Sequence, residues 1–239
     1  MKLFIDSQQS NQSGEKIKVD LQYVIDNRDN TYIITPREIS YYVGYYNISD
    51  ELGNNEVKYS NGLTSTIITL PNGLYTLQSY FDMIKVFITN GGDNAANINY
   101  LYHDCDGRLS IQVTPPYTFF VTQCNMNLLG FNTTKIITKY SVSNGPVNFT
   151  PFKLLYVHLK QLKNNCNYFN GYKSDILLKI PVTNNKFGTL VQHKFDLPFY
   201  AVLDNTTINN LELVITDENN KIIDFHGMPV FYTLEICKT

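Results

Sequence analysis

Short segments rich in β-branched and aromatic residues recur along this chain, and each is bounded by Asn, Asp, Gly or Pro. The segments lie at 18–24, 31–46, 57–70, 99–105, 108–113, 117–122, 153–162, 175–182, 190–203, 210–216 and 230–237. Segments of this kind predict strands that end at turns. Strands at this spacing favour a sandwich or barrel, so we predict an all-β protein, a single jelly roll of about eight strands.

One stretch departs from the strand pattern and predicts a short helix over about residues 76–89. Its apolar residues at helical spacing are Leu77, Phe81, Ile84 and Ile88. These positions share one face of a helix, Thr76 suits the N-cap, and Gly91-Gly92 ends the segment.

The length of 239 residues is compatible with one all-β domain, which we predict to span residues 1–239. Residues 7–16, Ser-Gln-Gln-Ser-Asn-Gln-Ser-Gly-Glu-Lys, hold too little apolar surface to offset the entropy of ordering. We therefore expect a flexible polar segment there, which could become ordered when subunits assemble.

The charge balance argues against nucleic acid as a direct partner. The formal net charge is -2, so no long-range positive field collects phosphates. No apolar run reaches the roughly 18 residues that a membrane helix needs, and the first residues do not form a secretory signal. We therefore expect that the protein does not insert into a membrane. We also expect that it is made inside a cell.

The side chains best suited to catalysis or metal binding lie together at His103-Asp-Cys-Asp-Gly107. A calcium loop would need further oxygen ligands that the following apolar strand lacks, so we interpret Asp106-Gly107 as the two-residue turn of a hairpin. Cys105, Cys124, Cys166 and Cys237 do not have zinc-site spacing. We predict no catalytic residue, no metal site and no cofactor, and structural roles for His158 and His193.

Aromatic pairs and glycosylation motifs each have two interpretations. Tyr41-Tyr42, Tyr45-Tyr46 and Phe199-Tyr200 could stack sugars or bases, but core packing or subunit contact is favoured. The Asn-x-Ser/Thr motifs begin at Asn11, Asn47, Asn132, Asn148 and Asn205. In a chain so rich in Asn and Thr, chance explains them.

The order of several short motifs between residues 57 and 236 resembles one viral family. The motifs are Thr69-Leu-Pro-Asn-Gly-Leu-Tyr-Thr-Leu77, Gly107-Arg-Leu-Ser-Ile111, Leu128-Leu-Gly-Phe131, and the segments 208–217, 222–227 and 230–236. Together they resemble the minor capsid, or penton, proteins of virophages, Polinton (Maverick) elements and related large DNA viruses.

The resemblance implies a structural protein that is not an enzyme. It implies a homopentamer at the icosahedral vertices of a virion, beside a double jelly-roll major capsid protein, made in the host cytoplasm or a viral factory. Two alternatives remain open. One is a jelly-roll carbohydrate-binding or fibre-head attachment module, and the other is a cysteine or metal enzyme built around His103 and Cys105.

Overall fold

The computed structural model describes residues 1–9, 16–26, 31–162, 168–169, 172–173, 175–182, 186–196, 200–204 and 207–239. These residues form two compact units. Unit 1 comprises Met1–Tyr45 and Phe152–Thr239, and unit 2 comprises Tyr46–Pro151. A single domain over residues 1–239 stays a prediction.

Paired antiparallel strands dominate the described residues, which confirms the all-β class. In chain order the strands are β1 (Lys2–Asp6), β2 (Lys16–Asp26), β3 (Tyr32–Tyr42), β4 (Glu56–Ser60), β5 (Ser65–Thr69), β6 (Ile98–His103), β7 (Arg108–Val113), β8 (Thr118–Val121), β9 (Lys135–Ile137), β10 (Tyr140–Val142), β11 (Leu154–Leu159), β12 (Tyr168–Phe169), β13 (Tyr172–Lys173), β14 (Ile176–Pro181), β15 (Leu190–Lys194), β16 (Ala201–Val202), β17 (Thr207–Thr216) and β18 (Val230–Lys238). The helix α1 is Leu77–Asn90, and 3-10 turns lie at Ser7–Gln9 and Ala95–Asn97.

Unit 1 contains the eight long strands expected of a jelly roll. Their order is β1-β18-β3-β15 in one sheet and β14-β11-β17-β2 in a second, the two-residue β16 also pairs with β3, and β12 and β13 form a separate two-stranded sheet. Alternation along the strands decides what is buried, because successive side chains point to opposite faces. Leu211, Leu213 and Ile215 of β17 are buried, as their spacing predicts.

Unit 2 contains a four-stranded sheet, β5-β4-β8-β9, a three-stranded sheet, β10-β7-β6, and helix α1. The helix agrees with the prediction for 76–89. Thr76 is the N-cap, where Thr76 Oγ1 accepts from Ser79 N at 3.1 Å and Ser79 Oγ accepts from Thr76 N at 2.9 Å. The buried helix face includes Tyr80, which the spacing argument missed, while Leu77 is only partly buried.

Several local expectations need correction. The β6–β7 link spans residues 104–107 rather than two, because β6 ends at His103 and Gly107 N donates to His103 O at 2.8 Å. Strands β9 and β10 fall in a stretch that the sequence pattern left without strands. Of the polar segment 7–16, residues 10–15 lie outside the described residues. Ser7 Oγ accepts from Val230 N at 2.8 Å, and Lys16 begins β2.

Candidate functional site

The hairpin that carries His103 and Cys105 does not bring these two residues together as a reactive pair. His103 Nε2 lies 2.6 Å from Ser110 Oγ on the adjacent strand β7. Ser110 Oγ in turn lies 2.9 Å from the hydroxyl of Tyr140 on β10. Cys105 is an exposed free thiol in the β6–β7 link. The histidine is therefore engaged by a serine hydroxyl across the sheet.

A serine beside a histidine has the spacing of a nucleophile and its base, but the surroundings do not favour catalysis. Ser110 is only 2% exposed, so a substrate carbonyl cannot reach its Oγ. Among the described residues, no carboxylate hydrogen-bonds to His103 to orient its ring. We interpret His103, Ser110 and Tyr140 as a hydrogen-bonded network that ties three strands together.

A second histidine network lies in unit 1. His158 Nδ1 lies 2.7 Å from Asp175 Oδ1, and His158 Nε2 lies 2.9 Å from Thr216 Oγ1. The threonine hydroxyl donates its proton to the carbonyl of Asp217 at 3.2 Å. Each imidazole nitrogen of His158 therefore has a hydrogen-bond partner, a carboxylate on one side and a hydroxyl on the other. Thr216 is only 6% exposed, so its hydroxyl is placed to serve this network rather than to attack a substrate.

This network predicts a specific loss of stability in acid. The hydrogen bond from His158 holds the pKa of Asp175 below its ordinary value of 3.8. A lowered native pKa stabilises the fold above the unfolded pKa, and this contribution is lost as the pH falls below about 3.8 toward the native value. We expect the free energy of unfolding to fall less steeply below pH 4 in Asp175→Asn than in the wild type, as measured by urea unfolding at several pH values. Equal slopes would contradict this role, and Asp50→Asn is the control.

The remaining cysteines and the potential metal ligands add no reactive site among the described residues. Cys124 is partly buried, Cys237 is exposed, and both are free. Cys166 lies outside the described residues. In the part of the chain that the structure describes, no three His, Cys, Asp or Glu side chains are grouped to hold a metal ion. No helix among the described residues is long and apolar enough to cross a bilayer.

Two members of the aromatic pairs lie in the core, whereas Tyr42 and Tyr46 are only partly buried. Tyr41 and Tyr45 are buried, and the Tyr41 ring packs edge-on against Phe225 at 5.8 Å between centroids. Burial raises the pKa of Tyr41 to about 12 and lowers the pKa of His193, so both stay neutral near pH 7. Tyr200 is exposed, and Phe199 lies outside the described residues.

The glycosylation motifs differ in accessibility. Asn47 is buried, and its amide makes three hydrogen bonds, which prevents modification of the folded chain. Asn132 and Asn148 are exposed, whereas Asn11 and Asn205 lie outside the described residues.

Two exposed apolar patches in unit 1 are candidates for subunit contact. The first, named patch A, centres on Phe4 of β1, whose side chain is 75% exposed. Phe4 pairs with Thr233, and the neighbouring pair of strand partners is Asp6 and Phe231. The ammonium of Lys2 lies 5.2 Å from the centre of the Phe4 ring. Phe231 is 36% exposed, and contiguous exposed apolar surface of this kind can mark an interface, where aromatic residues often serve as anchors.

The second, named patch B, is a bulge on the edge strand β2. Asp20 pairs with Asn210 and Ile25 pairs with Ile208, so residues 21–24 stand opposite the single residue 209. Tyr23 in this bulge is 73% exposed and its neighbour Val24 is also exposed. The bulge therefore presents an aromatic ring beside an apolar side chain at a sheet edge.

Sequence comparison does not assign this chain to a family. No protein-family model matches it, and no curated protein matches it. The fold itself defines the class: an all-β protein whose strands, with one α-helix among the described residues, form a jelly-roll-like penton fold.

Among solved structures, the crystal structure of the selenomethionine-labelled mavirus penton protein is similar to this chain. The TM-score is 0.52, and the match covers 100% of both chains with 9% of residues identical. At this identity the similarity describes the fold, and the fold agrees with the one that the motif order implies.

Proposed function

We propose that this protein is a structural capsid protein, a penton or minor capsid subunit that forms homopentamers at icosahedral vertices of a virion. The observation that carries the proposal is the penton-like fold over the whole length of both chains. We further propose that chain 1–239 acts as one jelly-roll subunit, made in the host cytoplasm or a viral factory. Its partners are four further copies and a double jelly-roll major capsid protein.

A closed ring requires two different surfaces on each subunit. In a heterologous interface one patch of a subunit contacts a different patch of its neighbour. The ring closes when the rotation from one subunit to the next adds up to a full turn. Patch A and patch B supply two separate exposed apolar surfaces on different sheets of unit 1. We propose that patch A of one subunit contacts patch B of the next. The proposed number of five subunits per ring is taken from the resemblance to penton proteins.

The first test is the mass of the purified chain in solution. Light scattering across a concentration series is expected to show a species near five times 27.5 kDa. Electron-microscope images of that fraction are expected to show five-fold rings. Rings of another number would contradict the pentamer, and a strict monomer at every concentration would contradict a ring that forms without the shell.

Variants of the two patches test which surfaces meet. Phe4→Ser and Tyr23→Ser each remove an aromatic anchor, which costs about 2 kcal/mol or more per contact at an interface hot spot. Each variant alone is expected to lose the ring. An equal mixture restores one intact contact per pair, so a species near twice 27.5 kDa is expected.

The control for these variants is Val86→Ser, because Val86 is an exposed apolar residue on helix α1 of unit 2. This variant is expected to leave the mass of the assembly unchanged. If Phe4→Ser and Tyr23→Ser both keep the wild-type mass, the ring contact lies elsewhere on the subunit.

A second candidate function, carbohydrate binding, is favoured by one face of unit 2. Asn99 pairs with Gln112, and Gln112 pairs with Tyr140, so the three side chains form a row across the sheet β10-β7-β6. The Tyr140 ring is 61% exposed. Amide groups both donate and accept hydrogen bonds, and an exposed tyrosine offers a flat amphipathic surface, which together suit a sugar.

Retention on a glycan array tests the second candidate. Binding that Tyr140→Ala abolishes and Tyr23→Ala preserves would support an attachment role for unit 2. Absence of retention on every glycan, together with five-fold rings, would leave the capsid function as the single proposal.

A further inference from the structure

Strand β5 lies at the edge of the four-stranded sheet of unit 2, and one side of its backbone has no partner in the part of the chain that the structure describes. Leu70 N donates to Asn55 O at 2.8 Å, and Asn61 N donates to Thr64 O at 3.2 Å. These two pairs flank the β4–β5 ladder at its two ends. Hydrogen-bonded pairs alternate along an antiparallel ladder, so the next ones along β5 involve Ile68 and Thr66.

The peptide groups of Ser65, Ile67 and Thr69 therefore point away from β4. The structure gives them no hydrogen-bond partner among the described residues. Their side chains lie on the solvent face of the sheet, and Ile67 is 58% exposed. Both the backbone and the side chains of this edge are thus available to another strand.

Edge strands normally carry features that prevent pairing with another molecule, such as lysine, proline, a bulge or a very short length. Strand β5 has the sequence Ser-Thr-Ile-Ile-Thr, without a charge or proline, and its register with β4 has no shift. Four other edges differ: β2 carries Lys16 and Lys18 and a register shift, β14 ends at Pro181, and β9 and β10 have 3 residues each. Strand β6 is also an uncharged edge, and it provides the control below.

We propose that β5 is a self-pairing edge, through which two copies of this chain join antiparallel about a two-fold axis at Ile67. In this register Ile67 faces Ile67 of the second copy, and Ser65 faces Thr69 of the second copy. The three outward residues form three pairs that exchange two hydrogen bonds each. Apolar side chains then face apolar ones, and hydroxyl groups face hydroxyl groups, which are favourable cross-strand pairs.

Electrostatics permit this contact because β5 itself places no charge beside its own copy. Lys58 is directly opposite Ile67 on β4, and its ammonium lies 4.9 Å from the centre of the Phe120 ring on β8, on the side away from β5. Across the two-fold axis the two Lys58 residues are three strand spacings apart, about 14 Å. This distance exceeds the Debye length of about 8 Å at physiological salt.

The pairing also joins two exposed apolar rows into one. On the solvent face, register places Ile67, Lys58, Phe120 and Ile136 in a row across the four strands. Because the two-fold axis of an edge pairing is perpendicular to the sheet, both rows lie on the same side of the combined sheet. The contact goes beyond the proposed ring: five is odd, so a two-fold contact joins chains of different rings or free subunits.

Charge exchange at Ile67 tests the pairing on the full chain by sedimentation at protein concentrations up to about 1 mM. Wild type is expected to double its mass with concentration, from one chain to two or from five to ten. Ile67→Lys and Ile67→Glu each put like charges opposite each other, which is expected to raise the dissociation constant roughly tenfold or more. Mixing the two variants restores pairing, because opposite charges then face each other.

Leu101→Lys is the matched control, because Leu101 is 61% exposed on β6, the other uncharged long edge of unit 2. It is expected to pair like the wild type. Thermal melts check that each variant is folded, and the neutral Ile67→Thr keeps the pairing to within a few-fold. The inference is overturned if the wild type never doubles, if Ile67→Lys pairs as well as the wild type, or if the mixture shows no recovery.

Discussion

Gly130→Ala is expected to destabilise the protein by about 4 kcal/mol, because two independent penalties coincide at this position. Gly130 has φ of 75°, in the left-handed region where a side chain is disfavoured. A Cβ atom there would lie 2.4 Å from the carbonyl oxygen of Gly145 and 2.7 Å from that of Pro146. Backbone must move to relieve such contacts, and Gly145 N donates to Gly130 O at 2.9 Å, so the shift also weakens a hydrogen bond.

Gly53→Ala separates the two penalties. Gly53 lies in the same unit with φ of 63°, but a Cβ atom there meets nothing within 4 Å. We expect only the backbone cost of about 1 kcal/mol for this variant. Chemical unfolding of both variants measures their losses in the free energy of unfolding. The extra loss in Gly130→Ala is the cost of the steric contact. Equal losses in the two variants would mean that the turn at Gly130 relaxes freely.

Asn47→Ala is expected to cost about 3 kcal/mol or more, because it removes a buried amide on which two distant segments depend. Asn47 Nδ2 donates to Tyr75 O at 2.7 Å and to Phe149 O at 2.6 Å, while Asn47 Oδ1 accepts from Tyr75 N at 2.7 Å. Asn47 is 2% exposed, so water cannot readily replace these partners in the folded chain. Three backbone groups would be left unsatisfied where the chain leads into α1 and near the end of unit 2.

Asn72→Ala is the control, since Asn72 also makes two amide hydrogen bonds, both to Asp50 on the surface. Solvent replaces those bonds, so a loss below about 1 kcal/mol is expected. Hydrogen exchange would locate the effect: Asn47→Ala is expected to reduce protection at residues 75–90. Similar losses for the two asparagine variants would contradict the assignment of Asn47 as a structural centre of unit 2.

The features predicted correctly from sequence depend on residues close together in the chain. Thr76 and the apolar spacing from Phe81 to Ile88 define α1, because a helix is formed by contacts between residues three and four apart. The inward face of β17 follows from strict alternation, which its own sequence shows. The motif order between residues 57 and 236 implied a penton fold, which the structural similarity supports at the level of the fold.

The networks and surfaces could not be predicted in this way, because their members meet through strand register. The sequence places His103 two residues from Cys105, whereas the hydrogen-bond partner of His103 is Ser110, across the β6–β7 pair. Asn47 carried only a glycosylation motif in the sequence, and its three bonds reach residues 75 and 149. The exposure of Phe4 could not be predicted from the sequence, because Phe4 lies between the apolar residues Leu3 and Ile5 and the strand shows no alternation there.

The class of fold, the position of the helix and the positions of most strands follow from the amino-acid sequence, because neighbouring side chains set backbone preference and alternation. The tertiary structure alone decided the grouping into two units, the partners of each histidine and the strand that remains at an edge. A strand pattern specifies which side chains turn inward, but not which strand lies beside it. That choice depends on the packing of the whole sheet, and it exposes β5 and the two patches on which the proposals rest.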